Sequence, residues 1–169
     1  MKQGTVRPNR HGRTAAGMGE PDPHTGRARL LLLPVLSVAT AGALLTDAVV
    51  HLQDAHAYDP VRTSLLSQGE LFRAEAIVAI LVAAAVVVRP RLVVWMLALA
   101  VLAGGLGAVL LYRYVDVGGI GPVPNMYEPT WQSPGKLLSA YAEGAGAVLA
   151  AAGCLLVTRA TSRARASLR

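Results

Sequence analysis

Four long apolar segments, at about 30–50, 71–88, 92–112 and 137–157, leave this chain few ways to fold. Each is close to the ~20 residues that carry an α-helix across a ~30 Å hydrocarbon layer at 1.5 Å per residue. The second is the weakest, because its uninterrupted part runs only over 76–88. It spans if Glu75 and Arg73 enter the membrane zone or the bilayer thins locally. Between the second and third segments stands only "RPR" (89–91), which permits a tight antiparallel hairpin and nothing longer. The expected fold is an all-α membrane protein, a four-transmembrane-helix up-down bundle over 29–157. A disordered basic N-terminal tail is expected over 1–28, and a second basic tail over 158–169.

Composition agrees. Hydrophobic residues make up 53% of the 169 positions, aromatics only 5%, and Ala, Val, Leu and Gly dominate, as in packed membrane helices. The first 28 residues hold almost no large apolar side chain and cannot offset their ordering entropy by burial. Among 16 basic residues only Lys2 and Lys136 are lysine, a bias that suggests a GC-rich bacterial genome.

A net charge of +6 admits nucleic acid or an anionic membrane surface as partner. Its distribution decides. Twelve basic residues lie in 1–29, in "RPR" and after Val157, the positive-inside pattern of a multi-pass protein. The tails lack the stacking aromatics of a nucleic-acid surface, so no nucleic-acid partner is expected. The bacterial plasma membrane follows as the location, with both termini cytoplasmic and the connections 51–70 and 113–136 facing outward. The "AHA" at 55–57 has the form of a signal-peptidase site, but the preceding apolar run is too long and Asp47 and Asp54 crowd it. Cleavage is not expected.

Counting from the inner arginines gives heights. Asp47 stands roughly 27 Å above Arg29, Glu75 roughly 21 Å above Arg89 and Glu143 roughly 24 Å above Arg159. Arg73 matches Glu143, and His51 lies one turn beyond Asp47. Asp47, His51, Arg73, Glu75 and Glu143 therefore form a candidate polar cluster in the outer part of the bundle. Ser37, Thr40, Asp47, His51 and Asp54 share one stripe of the first helix by their spacing. Ser139, Glu143, Gly146, Ala150 and Gly153 make a second stripe on the fourth, and Ala100, Gly104 and Ala108 a packing seam on the third. Ionisable groups in a membrane normally face a partner or water. The cluster reads either as a site for a proton, ion or small ligand, or as a structural pin in which Arg73 neutralises the acids.

His51, Asp54 and His56, with Asp47 and Asp59 close by, are weak metal-ligand candidates suited to zinc, or to copper if Met126 joined. No H-x-x-x-H or H-E-x-x-H pair supports them, and no metal or cofactor is expected. Tyr127, Glu128 and Trp131 fall in the loop "RYVDVGGIGPVPNMYEPTWQSPGK", as an interfacial anchor or a lid over the outer end. Cys154, the single cysteine, sits among small apolar residues and reads as packing. P-loop, dinucleotide, nucleophile-elbow and zinc-protease motifs are missing.

In the motifs "AVVHL", "GELF" and "AYAEGAG" the chain resembles small, uncharacterised four-helix membrane proteins of GC-rich bacteria over about 30–157. That resemblance implies the fold and no particular reaction. A non-enzymatic accessory or scaffold component of a membrane complex is the expected function. Its partners are the lipid bilayer and another membrane protein or a second copy. The alternative is a small transporter or proton- or ion-handling protein that uses the outer acidic cluster.

Overall fold

The computed structural model of the chain describes residues 23–132 and 134–166. These form four helices: α1 (Pro23–Asp54), α2 (Gln68–Val88), α3 (Leu92–Tyr114) and α4 (Pro134–Ala166). Among the described residues there is no strand, only two isolated β-bridges in the loops. Each helix carries a stretch long and apolar enough to cross a membrane: Leu32–Asp54, Gln68–Val88, Leu92–Tyr114 and Gly135–Ser162. The tail expected over 1–28 lies outside the described residues as far as 22. From Pro23 the chain is already helical, and α4 likewise runs on as helix into the basic segment after Val157.

α2 is longer than its apolar run because its start is capped. The Ser67 hydroxyl accepts from the Glu70 amide (3.0 Å) and the Glu70 carboxylate accepts from the Ser67 amide (2.7 Å). This capping box satisfies donors that would otherwise be orphaned at a helix start. The 21 residues of α2 then rise to about 31 Å. At the far end Pro90 cannot continue the helix, and α3 starts two residues later.

Side-chain pairs fix the topology. Gly135 lies against Asp54 and Gly146 against Ala43, so α1 and α4 run antiparallel; Gly153 against Trp95 and Gly146 against Leu102 do the same for α3 and α4. With one short connection between α2 and α3, and His51 of α1 facing Glu75 of α2, the four helices alternate up and down. α1 packs on α2 and α4, while α1 and α3 barely meet. The packed face of α3 is Trp95, Ala98, Leu102 and Gly105, all buried. Ala100, Gly104 and Ala108, expected as the packing seam, are exposed. A Cβ at Gly104 would meet nothing within 4 Å.

Small and polar side chains share the core with large apolar ones such as Leu44, Trp95 and Leu102, while the outer face is largely apolar. Ala48, Ala76, Ala79, Ala98, Thr40, Asp47 and Glu143 are almost fully buried, whereas Val38, Ile77, Leu81, Val93, Met96, Val148 and Leu155 stand exposed.

At one end the connections interlock. The Thr63 hydroxyl donates to the Pro122 carbonyl (2.9 Å) across the two long loops. Glu128 is the knot of the second loop. Its amide donates to the Tyr112 carbonyl (3.0 Å), its carboxylate accepts from Tyr58 (2.9 Å), and Lys136 donates to its carbonyl (2.8 Å). Burial and that bond to Glu128 push the Tyr58 phenol above its ordinary range, so it stays a donor.

Candidate functional site

The polar stripe of α1 faces inward. Ser37, Thr40, Asp47 and His51 are all buried, the last two at 1% and 7% exposure. The stripe of α4 meets it: Ser139 and Glu143 are 2% and 0% exposed. The spacing of four and seven residues puts each set on one helical face, and the antiparallel pairing of α1 with α4 brings the two faces together. Ser139 Oγ donates to Asp47 Oδ1. His51 Nδ1 lies 3.1 Å from the Asp47 carbonyl oxygen and 3.1 Å from Asp47 Oδ1. Its other nitrogen, Nε2, stands 3.4 Å from Glu75 Oε2 on α2. Phe72, one turn before Glu75, packs its ring edge-on to the imidazole at 4.8 Å and 86°.

α3 contributes by omission. A Cβ on Gly105 would fall on the Glu143 carboxylate and lie 2.9 Å from Glu75 Oε1. Only a glycine leaves the space in which these two carboxylates approach each other. Asp47, His51, Glu75 and Glu143, from α1, α2 and α4, thus converge around Gly105 of α3.

Their hydrogen bonding is incomplete. Asp47 Oδ2 and both oxygens of Glu143 are buried and have no hydrogen-bond partner among the described residues. Buried polar atoms of native proteins are mostly paired, and an unpaired buried carboxylate oxygen carries a large desolvation cost.

Beside the cluster opens a cavity of about 130 Å³. His51, Glu75, Gly105 and Ser139 line it together with Phe72, Val109 and Tyr112, and it reaches the interlocked loops at Tyr58, Met126, Glu128 and Lys136. Through Glu75 and His51 the cluster accordingly has a route to the loop end of the bundle. Further along α1 from Asp47, toward its start, Thr40 and Ser37 continue the stripe with buried hydroxyls that have no partner among the described residues.

Arg73 does not join this group. Its guanidinium donates twice to Asp59, at 2.8 Å from each nitrogen, outside the bundle. The reason is angular: Arg73 and Glu75 are two residues apart and point to nearly opposite sides of α2. The acids therefore lack the arginine partner expected for a structural pin. Held by this bidentate pair, the Asp59 carboxyl drops from its ordinary range to about 2. A depressed carboxyl stabilises above its unfolded pKa and loses that contribution as pH falls, here between about 4 and about 2. Arg73→Gln is expected to return the Asp59 titration to near 4, read by carbon-detected NMR of the carboxyl, and to loosen the 55–67 loop without disturbing the buried cluster.

The other expected sites divide. His56 is 98% exposed in its side chain and lies 3.5 Å from Asp59, so it cannot share a ligand with His51. Asp54 stands at the start of α4, where a Cβ on Gly135 would approach its Oδ2 to 2.9 Å. There the helix N-terminus favours a negative charge. Instead, one donor atom each from Asp47, His51 and Glu143 lies within 4.8 Å of the other two. In the loop, Trp131 is flanked by Arg113 and Lys136, 5.7 and 5.9 Å from the ring centroid. Tyr127 is exposed, while Glu128 serves as the tie described above.

Comparison with known proteins found no matching family model, curated protein or solved structure.

Proposed function

We propose that this chain is an integral, four-span membrane protein of the bacterial plasma membrane, non-enzymatic, that handles protons or small cations through Asp47, His51, Glu75 and Glu143. Both termini lie on the cytoplasmic side, and the cavity opens outward. Membrane residence is supported by the apolar outer face of the bundle. A band of exposed Val, Leu, Ile and Met all round it is far beyond what soluble monomers leave open. The ion-handling reading rests on one observation: buried Asp47, His51 and Glu143 converge with the partly open Glu75 beside a cavity, and three of the carboxylate oxygens have no partner among the described residues. A register pin would be satisfied internally; intramembrane acids that face a cavity characteristically mark ion and proton pathways.

The test is flux. The purified chain, reconstituted in liposomes with an internal pH dye and then with cation-selective dyes, is expected to support proton- or cation-dependent flux. Asp47→Asn or Glu143→Gln should abolish it with helicity, abundance and monodispersity unchanged. If both variants lose abundance instead, the cluster is structural.

One observation keeps the accessory reading as a second possibility. Exposed Ala100 and Gly104 leave α3 a surface that another helix can approach closely. A second chain co-purifying stoichiometrically in mild detergent favours it, and a monomer counts against it.

A further inference from the structure

We infer that Asp47, His51 and Glu143, with Glu75 as a fourth ligand, form a binding site for a divalent first-row transition-metal ion of the zinc class. The inference deepens the ion-handling reading and rests on the same cluster.

The donor set has the right chemistry. One imidazole and several carboxylates suit borderline divalent ions, whereas magnesium and calcium prefer all-oxygen cages and Cu(I) prefers sulfur. Spacing agrees as well. Donor atoms of Asp47, His51 and Glu143 already lie within 4.8 Å of one another. His51 Nε2 and Glu75 Oε2 are 3.4 Å apart, the edge length of a tetrahedron with metal–ligand bonds of about 2.0–2.2 Å.

The surrounding groups are those that hold first-shell ligands in place. His51 Nδ1 faces the Asp47 carbonyl at 3.1 Å; donating its proton there leaves Nε2 with a free lone pair toward Glu75. Ser139 occupies one oxygen of Asp47 and leaves Oδ2 unpartnered. Glu143, fully buried with both oxygens unpartnered among the described residues, is the independent sign of a ligand. The only cationic partner that Asp47 and Glu75 have among the described residues is His51 itself, since Arg73 is held by Asp59 and Lys136 by Glu128. A divalent cation supplies the compensating charge. The cavity that His51, Glu75 and Ser139 line gives it a way in.

The experiment is Co²⁺ titration of the chelator-stripped, full-length chain in detergent, followed by Zn²⁺ competition. The expected result is one ion per chain, visible absorption bands of four-coordinate cobalt, and displacement by Zn²⁺. Glu143→Gln and Asp47→Asn should each weaken binding at least tenfold. Ser139→Ala, which removes only a supporting hydrogen bond and keeps the packing, should weaken it roughly tenfold to hundredfold. His56→Ala, outside the cluster, should bind as the parent does. No stoichiometric binding by the parent chain overturns the inference, whatever the variants do. So does binding lost in His56→Ala but kept in Glu143→Gln, which would mark an adventitious surface site. If the parent binds no metal yet passes protons in liposomes, the metal inference falls and the proton-handling reading stands. If it binds metal but passes no ion, the metal inference stands and the flux reading falls.

Discussion

His51→Leu is expected to be the most damaging polar substitution in the chain, costing about 3–5 kcal/mol of stability. His51 faces Asp47 and Glu75 at 3.1 and 3.4 Å and is 7% exposed. Removing it leaves two carboxylates without their shared partner, and a third close by already has none. Breaking a buried ionic group by deleting one side is costly because the remaining charge stays desolvated. The same principle predicts recovery. With Asp47→Asn, Glu75→Gln and Glu143→Gln added, the quadruple variant should regain most of the loss, because no carboxylate of the cluster is then stranded. Thermal unfolding in mild detergent reads both. A His51→Leu variant as stable as the parent would show that the imidazole is a spectator.

Gly153→Leu is expected to disrupt the bundle itself, by at least about 3 kcal/mol and with marked loss of folded protein. Even the first atom of a side chain at this position would fall within the ring of Trp95, which is fully buried on α3. A rigid indole packed on all sides cannot yield as an aliphatic chain can, so α3 and α4 must separate. Gly104→Ala is the matching control, since its Cβ would meet nothing within 4 Å and alanine is the better helix former. Detergent-resistant abundance and the unfolding midpoint should fall for the first and hold or rise for the second. Equal loss in both would place the α3 interface on the wrong face.

These glycines show where sequence reasoning succeeds and where it stops. Counting by helical rise brought Asp47, Glu75 and Glu143 to one depth, and periodicity put Asp47 with His51 and Ser139 with Glu143 on single faces. Those steps need only the rise and twist of a helix. α3 is different because its exposed and packed sides are both apolar. Two small-residue stripes compete there, and hydropathy cannot tell which is inside. Its buried stripe carries Trp95 and Gly105, a large residue and a hole that match Gly153 and Glu143 on α4, a complementarity visible only in three dimensions. Arg73 departs from the expected cluster for a simpler reason: equal height on a helix does not give equal angle. Two residues from Glu75, it had to turn to the other side of α2 and met Asp59 in the loop. The early start of α2 was legible in "SQGE", where serine and glutamate three apart form the capping box.

Loop residues followed chemistry that spacing does not carry. Glu128 is joined to Tyr58 and Lys136, 70 and 8 residues away, through bonds that depend on how two connections fold over the bundle end. Sequence marked the loop as unusual and its aromatics as interfacial. It could not name Glu128 as the tie at the loop end of the cavity.

Side-resolved thiol labelling of Glu75→Cys in a Cys154→Ala background tests the central claim most directly. Position 75 lines the cavity beside the buried acids, on the only one of the three acid-bearing helices whose acid is partly open. In intact spheroplasts a membrane-impermeant maleimide is expected to label it from outside, and Ile77→Cys on the exposed apolar side of α2 is expected to stay unlabelled. Labelling of Glu75→Cys only from the cytoplasmic side of inverted vesicles, or from neither side, would contradict an outward-opening ion site.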